Sequence, residues 1–387
     1  MADWRIPLSD LDYGLEEEAA ALRVLRSRWL SAGPEVHSFE AEFSARMGVG
    51  SAVAVSNGTA ALHLALLALG LGPGDEVIQP AINFVAAANM TVAVGATPVF
   101  ADILDLDEPT IDPADIESKI TNKTKAVVVM HYGGYLCRMS AIKAICGRYG
   151  IALIEDACHA VGAPYETAHD AVSDGKVAGS IGDIGCFSFF SNKNLATGEG
   201  GMVVTTRPDL AQRMRNLRSH GMTTLTWDRH RGHANTYDVI LNGYNYRLDD
   251  LRAALGRAQL AKLDTNNAKR RQLISLYCKE LKLTPGWLIP FVDRAGSGAA
   301  HLMVLVAPTQ PARGELMKLL ADNRIQTSIH YPCIPRFSAF RSYASCSVDR
   351  SQAFASRALT LPLFPGLACS NVREICSIVN SLGTHSN

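Results

Sequence analysis

The sequence predicts an α/β protein: a sheet covered by helices on both faces, followed by a second, smaller α/β domain. Three observations lead there. Seven short runs, SAVAVS, DEVIQP, TPVFADI, KAVVVM, IALIED, IGCFSFF and GMVVTT, are β-rich and most are apolar throughout. Strands apolar on both sides belong to a sheet buried between two helical layers. Helical patterns alternate with these runs from about Glu40 to about Arg207, which is the signature of a layered α/β domain. Beyond that point the alternation stops.

Taken in order, the strand SAVAVS leads into a helical pattern over Thr59–Leu69, and DEVIQP into one over Ile82–Val94. TPVFADI and KAVVVM follow, then a helix over Met139–Tyr149 and the strand IALIED. IGCFSFF and GMVVTT bracket a glycine-rich turn. The tail is different in kind. Asp249–Leu263 and Ala268–Leu281 read as two long helices, each with a charged face and a Leu/Ala face. A VLVAP strand, a helix around Gly314–Asp322 and short segments ending near Leu382 complete a second domain from roughly residue 260.

Composition narrows the function. The chain has 387 residues, 48% hydrophobic and 19% charged, so a large core is available. Lys+Arg and Asp+Glu are both 37. That balance lacks the basic excess or stripe of a nucleic-acid binder. The N-terminal MADWRIPLSDLDYG has neither a basic region nor an apolar one, so no signal peptide is expected. The longest apolar run, AALHLALLALGLG, is broken by His63 and falls short of the ~20 residues of a membrane span. Nine cysteines without a C-x-x-C pair read as reduced thiols of a cytoplasmic protein. His220, His230 and His233 lack zinc-site spacing with cysteines, and no metal is expected. No P-loop pattern occurs, and Gly70, Gly72 and Gly74 end a helix instead of following a strand, which weakens a dinucleotide reading.

Three stretches carry chemistry. In SNGTAALHLALLALG a strand ends, glycine follows and a helix opens, so Gly58 and Thr59 offer an anion site at a helix N-terminus; taken alone, the stretch reads more simply as an ordinary helix cap by Ser56, Asn57 or Thr59. In IALIEDACHA the apolar strand ends at Glu155-Asp156, which sets a carboxylate at the carboxyl edge of the sheet, where open α/β folds bind ligands. Asp156 could also cap the next helix, and His159 could pack over a ligand ring or be a core histidine.

In FFSNKNLATGEGG, Lys193 lies between two asparagines in a turn. Its alternatives are an exposed hairpin lysine and an amine kept for covalent chemistry, which needs burial or a nearby positive centre. Ser188, five residues earlier, could bind a phosphate oxygen. Phosphate cradle, strand-end aspartate and lysine in a small-residue loop together meet the needs of pyridoxal 5'-phosphate (PLP). A polar loop, HGMTTLTWDRHRGHANTYDV, holds Arg229 and Arg231 and reads either as solvated or as an anion-contacting flap.

With these residues in place, the chain resembles the nucleotide-sugar aminotransferases, the DegT group of fold-type-I PLP enzymes. The resemblance runs almost end to end. RSRWLSAGPEVHSFEAEF, SNGTAALHLALLALGLGPGDEVI, HYGGY, IEDACHAVGAPY, GDIGCFSFFSNKNLATGEGGMVVT, GYNYRLDDLRAALGRAQLAKL, IHYP and LTLPLFPGL occur in family order. Asn83 and Asn192 stand where the family commonly has Thr, and Leu136 and Arg138 replace Pro and Asp.

The resemblance implies an aspartate-aminotransferase-like fold, with a large domain built on a mostly parallel seven-stranded sheet and a smaller C-terminal α/β domain. Residues 1–35 would pack on the small domain, 36–259 form the PLP-binding domain and 260–387 the small one. Lys193 matches the lysine that bonds the cofactor, and Asp156 the carboxylate beneath its ring nitrogen. Gly58, Thr59 and Ser188 match the phosphate site, Phe84 the ring-stacking aromatic and His159 a residue near the ring hydroxyl. Asn245 matches a residue reaching in from a second subunit, and His330 and Tyr331 a substrate-proximal segment.

The implied protein is a cytoplasmic homodimer with shared sites. It would move an amino group from a donor, expected to be L-glutamate, to a keto group of a nucleotide-linked sugar, by way of pyridoxamine phosphate. A sugar dehydratase, a ketocyclitol aminotransferase and a PLP-binding regulatory sensor remain the alternatives. Lys193 speaks against the dehydratase relatives, in which histidine replaces it.

Overall fold

The computed structural model of the protein describes residues 4–165, 175–224, 227, 232, 236–344 and 346–382. The seven apolar runs all form strands: β1 Ser51–Val55, β2 Glu76–Pro80, β3 Thr97–Ala101, β4 Thr124–Met130, β5 Ala152–Asp156, β6 Ile184–Ser188 and β7 Gly201–Thr205. They make one sheet in the order β1-β7-β6-β5-β4-β2-β3. β7 is antiparallel to both β1 and β6, and the remaining pairs are parallel. Six strands therefore end at one edge, and β7 begins there, with Gly201 in register with Val55 and Ser188.

The apolar runs exist because both faces of this sheet are covered. Ala52, Ala54, Val127, Val129 and Leu153 pack against Phe39 and Phe43 of one helix, Pro34–Met47, and Ile142 of another, Met139–Tyr149. The alternate residues Val53, Val55, Val128 and Ile154 pack on the other face. There they meet Leu62, Leu64 and Leu66 of the helix Gly58–Ala68, and Leu210 and Met214 of the helix Pro208–Arg218. The period of two along each strand thus separates two cores. The helix Gly58–Ala68 is buried along almost its whole length.

Two helical expectations are corrected. The helix after β2 spans Ala86–Ala93, so Ile82, Asn83 and Phe84 form a connecting loop before it. The two long C-terminal helices are one helix, Asp250–Glu280, of 31 residues. At a rise of 1.5 Å per residue it is about 46 Å long. The polar stretch that reads as a break, Asn266-Asn267, is buried. Asn267 Nδ2 donates to the Val161 carbonyl at 3.0 Å and its Oδ1 accepts from Asn194 Nδ2 at 2.8 Å. For Asn267, tertiary partners thus replace the water its amide would otherwise seek.

The lower half of this helix, through Leu273, Ile274 and Tyr277, joins a third core. That core includes the antiparallel pair Met303–Val306 and Ala358–Leu361 and the helices Gln310–Asp322 and Cys369–Ser381. Ile6 lies in the same core and bridges Ile325. Among the described residues, no helix is long and apolar enough to cross a membrane, and no cluster of His, Cys, Asp and Glu could hold a metal ion.

Candidate active site

The carboxyl edge of the sheet opens into a cavity of about 510 Å³. Nine of the residues singled out in the sequence line it: Gly58, Thr59, Phe84, Asp156, His159, Ser188, Lys193, His330 and Tyr331. They come from five separate stretches of the chain, four of which the sheet gathers at its carboxyl edge.

The floor begins at the start of the helix Gly58–Ala68. Asn57 caps it, its Oδ1 accepting from the Ala60 N–H at 2.8 Å. The N–H groups of Gly58 and Thr59 belong to the first turn, which has no carbonyl of its own to pair with. Gly58 is required here for space: a Cβ would lie 2.8 Å from Ser188 Cβ and 3.3 Å from Cys158 Sγ. The backbone can therefore come close to a group held between Thr59 and Ser188. Gly201 is constrained similarly, since its Cβ would sit 2.6 Å from the Asn57 carbonyl.

Asp156 ends β5 and is buried. Its Oδ1 accepts from the Cys158 N–H at 3.2 Å and its Oδ2 from Asn83 Nδ2 at 3.1 Å. Asn83 is itself fixed, because its Oδ1 accepts from the Phe84 N–H at 2.6 Å. A carboxylate has about four acceptor sites, so Asp156 retains capacity for a donor from the cavity. The ring of Phe84 remains 55% exposed, 5.9 Å from that of Tyr331.

Lys193 sits in a closed loop between β6 and β7. Its own N–H donates to the Phe190 carbonyl at 2.8 Å, and the Thr197 N–H to the Phe189 carbonyl at 2.8 Å. Burial lowers the pKa of its amine, opposed by the negative charge of Cys158 and Asp156 when ionised. Burial likewise pushes His330 down to about 4, with Lys193 adding to the effect. His159 is held well below its usual value by burial first and then by Lys193. Its Nε2 shares a hydrogen bond of 2.8 Å with the Tyr331 hydroxyl, and its Nδ1 is buried with no partner among the described residues.

Two sequence expectations lie elsewhere. Asn245 is exposed, pairs through its backbone with Ser219 and does not line this cavity. Arg229 and Arg231 fall outside the described residues. Conversely, Cys158, Phe190 and Asn192 line the cavity, and Asn83 lines it while holding Asp156. Cys158 could have been found as the alternate neighbour of Asp156. Nothing local in the sequence announces the 73-residue pairing of Asn83 with Asp156.

The arrangement suits PLP. A glycine-lined helix start and a serine can take a phosphate, a buried carboxylate can face a protonated ring nitrogen, and a lysine of lowered pKa stands beside them. The orphaned His159 Nδ1 and the bare Phe84 ring are the kind of surface a polar aromatic ligand satisfies.

Comparison with known proteins agrees. The model of the DegT/DnrJ/EryC1/StrS aminotransferase family matches residues 12–380. The spore coat polysaccharide biosynthesis protein SpsC of Bacillus subtilis (strain 168) is 40% identical over 377 residues, covering 95% of each chain. DesV of S. venezuelae, solved in complex with a ketimine intermediate, is 35% identical with a TM-score of 0.86, covering 96% of this chain and 95% of its own. DesI, solved in the presence of its TDP-sugar product, is 29% identical with a TM-score of 0.86, covering 100% of this chain and 94% of its own.

Proposed function

The chain belongs to the DegT/DnrJ/EryC1/StrS aminotransferase family, and from that premise we propose that it is a PLP-dependent enzyme transferring an amino group from L-glutamate to a keto group of a nucleotide-linked sugar. The observation that carries this reading is the convergence of Lys193, Asp156 and the Gly58–Thr59–Ser188 cradle on one cavity. The TDP-sugar product of DesI supports the acceptor class.

When bound, PLP supplies an electron-withdrawing ring that takes up the electrons left as a proton leaves the donor's α-carbon. The protein's part is to hold that ring and to move protons. The Gly58 and Thr59 N–H groups and the Ser188 hydroxyl bind the phosphate. Asp156, oriented by Asn83 and the Cys158 N–H, keeps a positive charge on the ring nitrogen. Phe84 would offer its ring as a stacking face, and His159, steadied by Tyr331, a polar edge to the bound ring. Lys193 bonds the cofactor at rest. When not bonded to the cofactor, its Nζ would be the base that takes the proton from the donor's α-carbon and returns it; the lowered pKa raises the fraction of neutral amine available for that role.

The remaining assignments belong to the same proposal. Phe84 and Phe190 stand at the cavity 55% and 45% exposed, which supports a homodimer in which a second copy covers the mouth and supplies Asn245. Arg229 and Arg231 hold the acceptor's diphosphate through charge-assisted hydrogen bonds, with His330 and Tyr331 beside the sugar. Nine free thiols support a reducing, cytoplasmic compartment.

The test is to convert the purified, PLP-loaded protein with glutamate and offer it a panel of keto-sugar nucleotides, following products by mass spectrometry. A new amino-sugar nucleotide is expected from at least one. A protein that releases 2-oxoglutarate but aminates only a ketocyclitol corrects the acceptor, and one that takes no amine from glutamate ends the reading of the donor.

A further inference from the structure

The two asparagines flanking Lys193 are held by different means. Asn194 is buried, and its Nδ2 donates to Asn267 Oδ1 at 2.8 Å and to the Ala299 carbonyl at 2.7 Å. Its oxygen is left to accept, and the partner is His301 Nδ1 at 2.9 Å. Those contacts decide the imidazole's tautomer: Nδ1 carries the proton and Nε2 is a bare acceptor. Burial favours the same neutral ring. His301 Nε2 has no hydrogen-bond partner among the described residues, and neither does the buried Asn192 Oδ1 on the other side of the lysine.

Both residues line a second, small cavity of about 20 Å³, together with Ser9, His330 and Thr360. Asn192 and His330 also line the main cavity, so the two spaces share a wall. Two bare acceptors cannot satisfy each other. They need a donor between them, and one water requires roughly 10–15 Å³ and two to four polar partners. The cavity has that size and that lining.

We propose that His301 is the positioning residue of the lysine loop, gripping Asn194 directly through Nδ1 and Asn192 through a single ordered water on Nε2. The backbone is then pinned on both sides of Lys193 while its side chain stays free to change partners. His301 precedes the strand Met303–Val306 of the C-terminal core, so this is also where that core takes hold of the catalytic loop. Its ring lies 4.3 Å from that of His159, centroid to centroid, so the same imidazole backs the residue at the cofactor's edge. The functional half of this inference rests on Lys193 being the cofactor's lysine; the structural half does not.

Two measurements test it. A high-resolution crystal structure of the wild-type protein should show one water within about 3.2 Å of both His301 Nε2 and Asn192 Oδ1; a site without density overturns the water. In the PLP-loaded enzyme, His301→Leu should slow the glutamate-driven loss of the visible cofactor band roughly 10- to 100-fold at saturation, the scale of a small misplacement of a reacting group. The glutamate concentration giving half the maximal rate should stay within about twofold, as expected when alignment and not binding is lost. His301→Asn, whose Nδ2 can still donate to Asn194, should recover most of the rate.

A purely structural role would lower the melting temperature and the loaded fraction of both variants without separating rate from half-saturation. Equal slowing in the Leu and Asn variants, or no slowing in either, overturns the clamp. A wild-type protein that forms no cofactor band defeats the functional reading instead, and the crystal density then decides the clamp alone.

Discussion

Glu155 and Asp156 are consecutive residues of one strand, both buried, and they lead opposite lives. Glu155 shares the face of Leu153 and is saturated. It accepts from the N–H groups of Gly179, Ile181 and Gly182 at 2.7, 2.7 and 2.6 Å, and pairs with His131 Nε2 at 2.9 Å. Asp156, on the face of Ile154, has one side-chain partner and one backbone partner and looks into the cavity. Strand alternation alone separates them. A buried carboxylate whose acceptors are all used is a fastening, and one with capacity to spare is a site.

The comparison predicts opposite consequences for similar substitutions. Asp156→Asn should lower turnover roughly 10²- to 10³-fold, the scale of removing one preorganised electrostatic contact. Its melting temperature should fall less than that of a Glu155 variant, since the amide oxygen still accepts from one of the two donors, Asn83 Nδ2 or the Cys158 N–H, and only the other loses its partner. Near-normal turnover would falsify the role given to Asp156. Glu155→Gln should do the reverse. Placing an amide against three N–H donors breaks a buried charge network, at a cost of about 3 kcal/mol. Thermal unfolding should show it, while the protein that remains folded keeps its cofactor and its turnover. Equal kinetic damage in both variants would erase the distinction.

A smaller effect is expected at Gly58. Gly58→Ala places a methyl 2.8 Å from Ser188 Cβ, and overpacking of this kind costs about 1–3 kcal/mol. Charged to the cradle, that is a loss of roughly ten- to hundredfold in PLP affinity, measurable by equilibrium titration. Unchanged affinity would show that the cradle is not where the phosphate binds.

The smallest concerns pH. His159, His301 and His330 are all held neutral by burial, with His330 shifted to about 4. A folded state with depressed histidine pKa values binds fewer protons than the unfolded chain. Its stability is therefore fully present above about 6.5, the unfolded value, and falls as pH drops toward 4. The cofactor-free protein should lose melting temperature across that window, and His330→Gln should flatten part of the slope. A flat profile from pH 6.5 to 4 contradicts the burial of these rings.

Most of the frame was legible because its physics is local. Most strands of the sheet are apolar on both faces, so the seven announced themselves as runs, and the lysine loop stood out because most of its neighbours are small and uncharged. The long helix was not legible as one piece, because the polar stretch Asn266-Asn267 reads as a break and the partners that hold Asn267 lie on other elements. His301 gave no signal at all. Its meaning comes from Asn194, 107 positions earlier, and no periodicity connects them. The features that refine the site are long-range polar pairings, which a single sequence does not encode in any pattern of spacing.

The central claim is that Lys193, and no other amine, carries the cofactor in this cavity. Incubation with PLP followed by borohydride reduction fixes whatever bond has formed, and peptide mapping then reads its position. The account predicts a single phosphopyridoxyl label on the peptide containing Lys193, with the visible absorption band present before reduction and lost on adding glutamate. A label on any other lysine, or its persistence at full yield in Lys193→Ala, contradicts it.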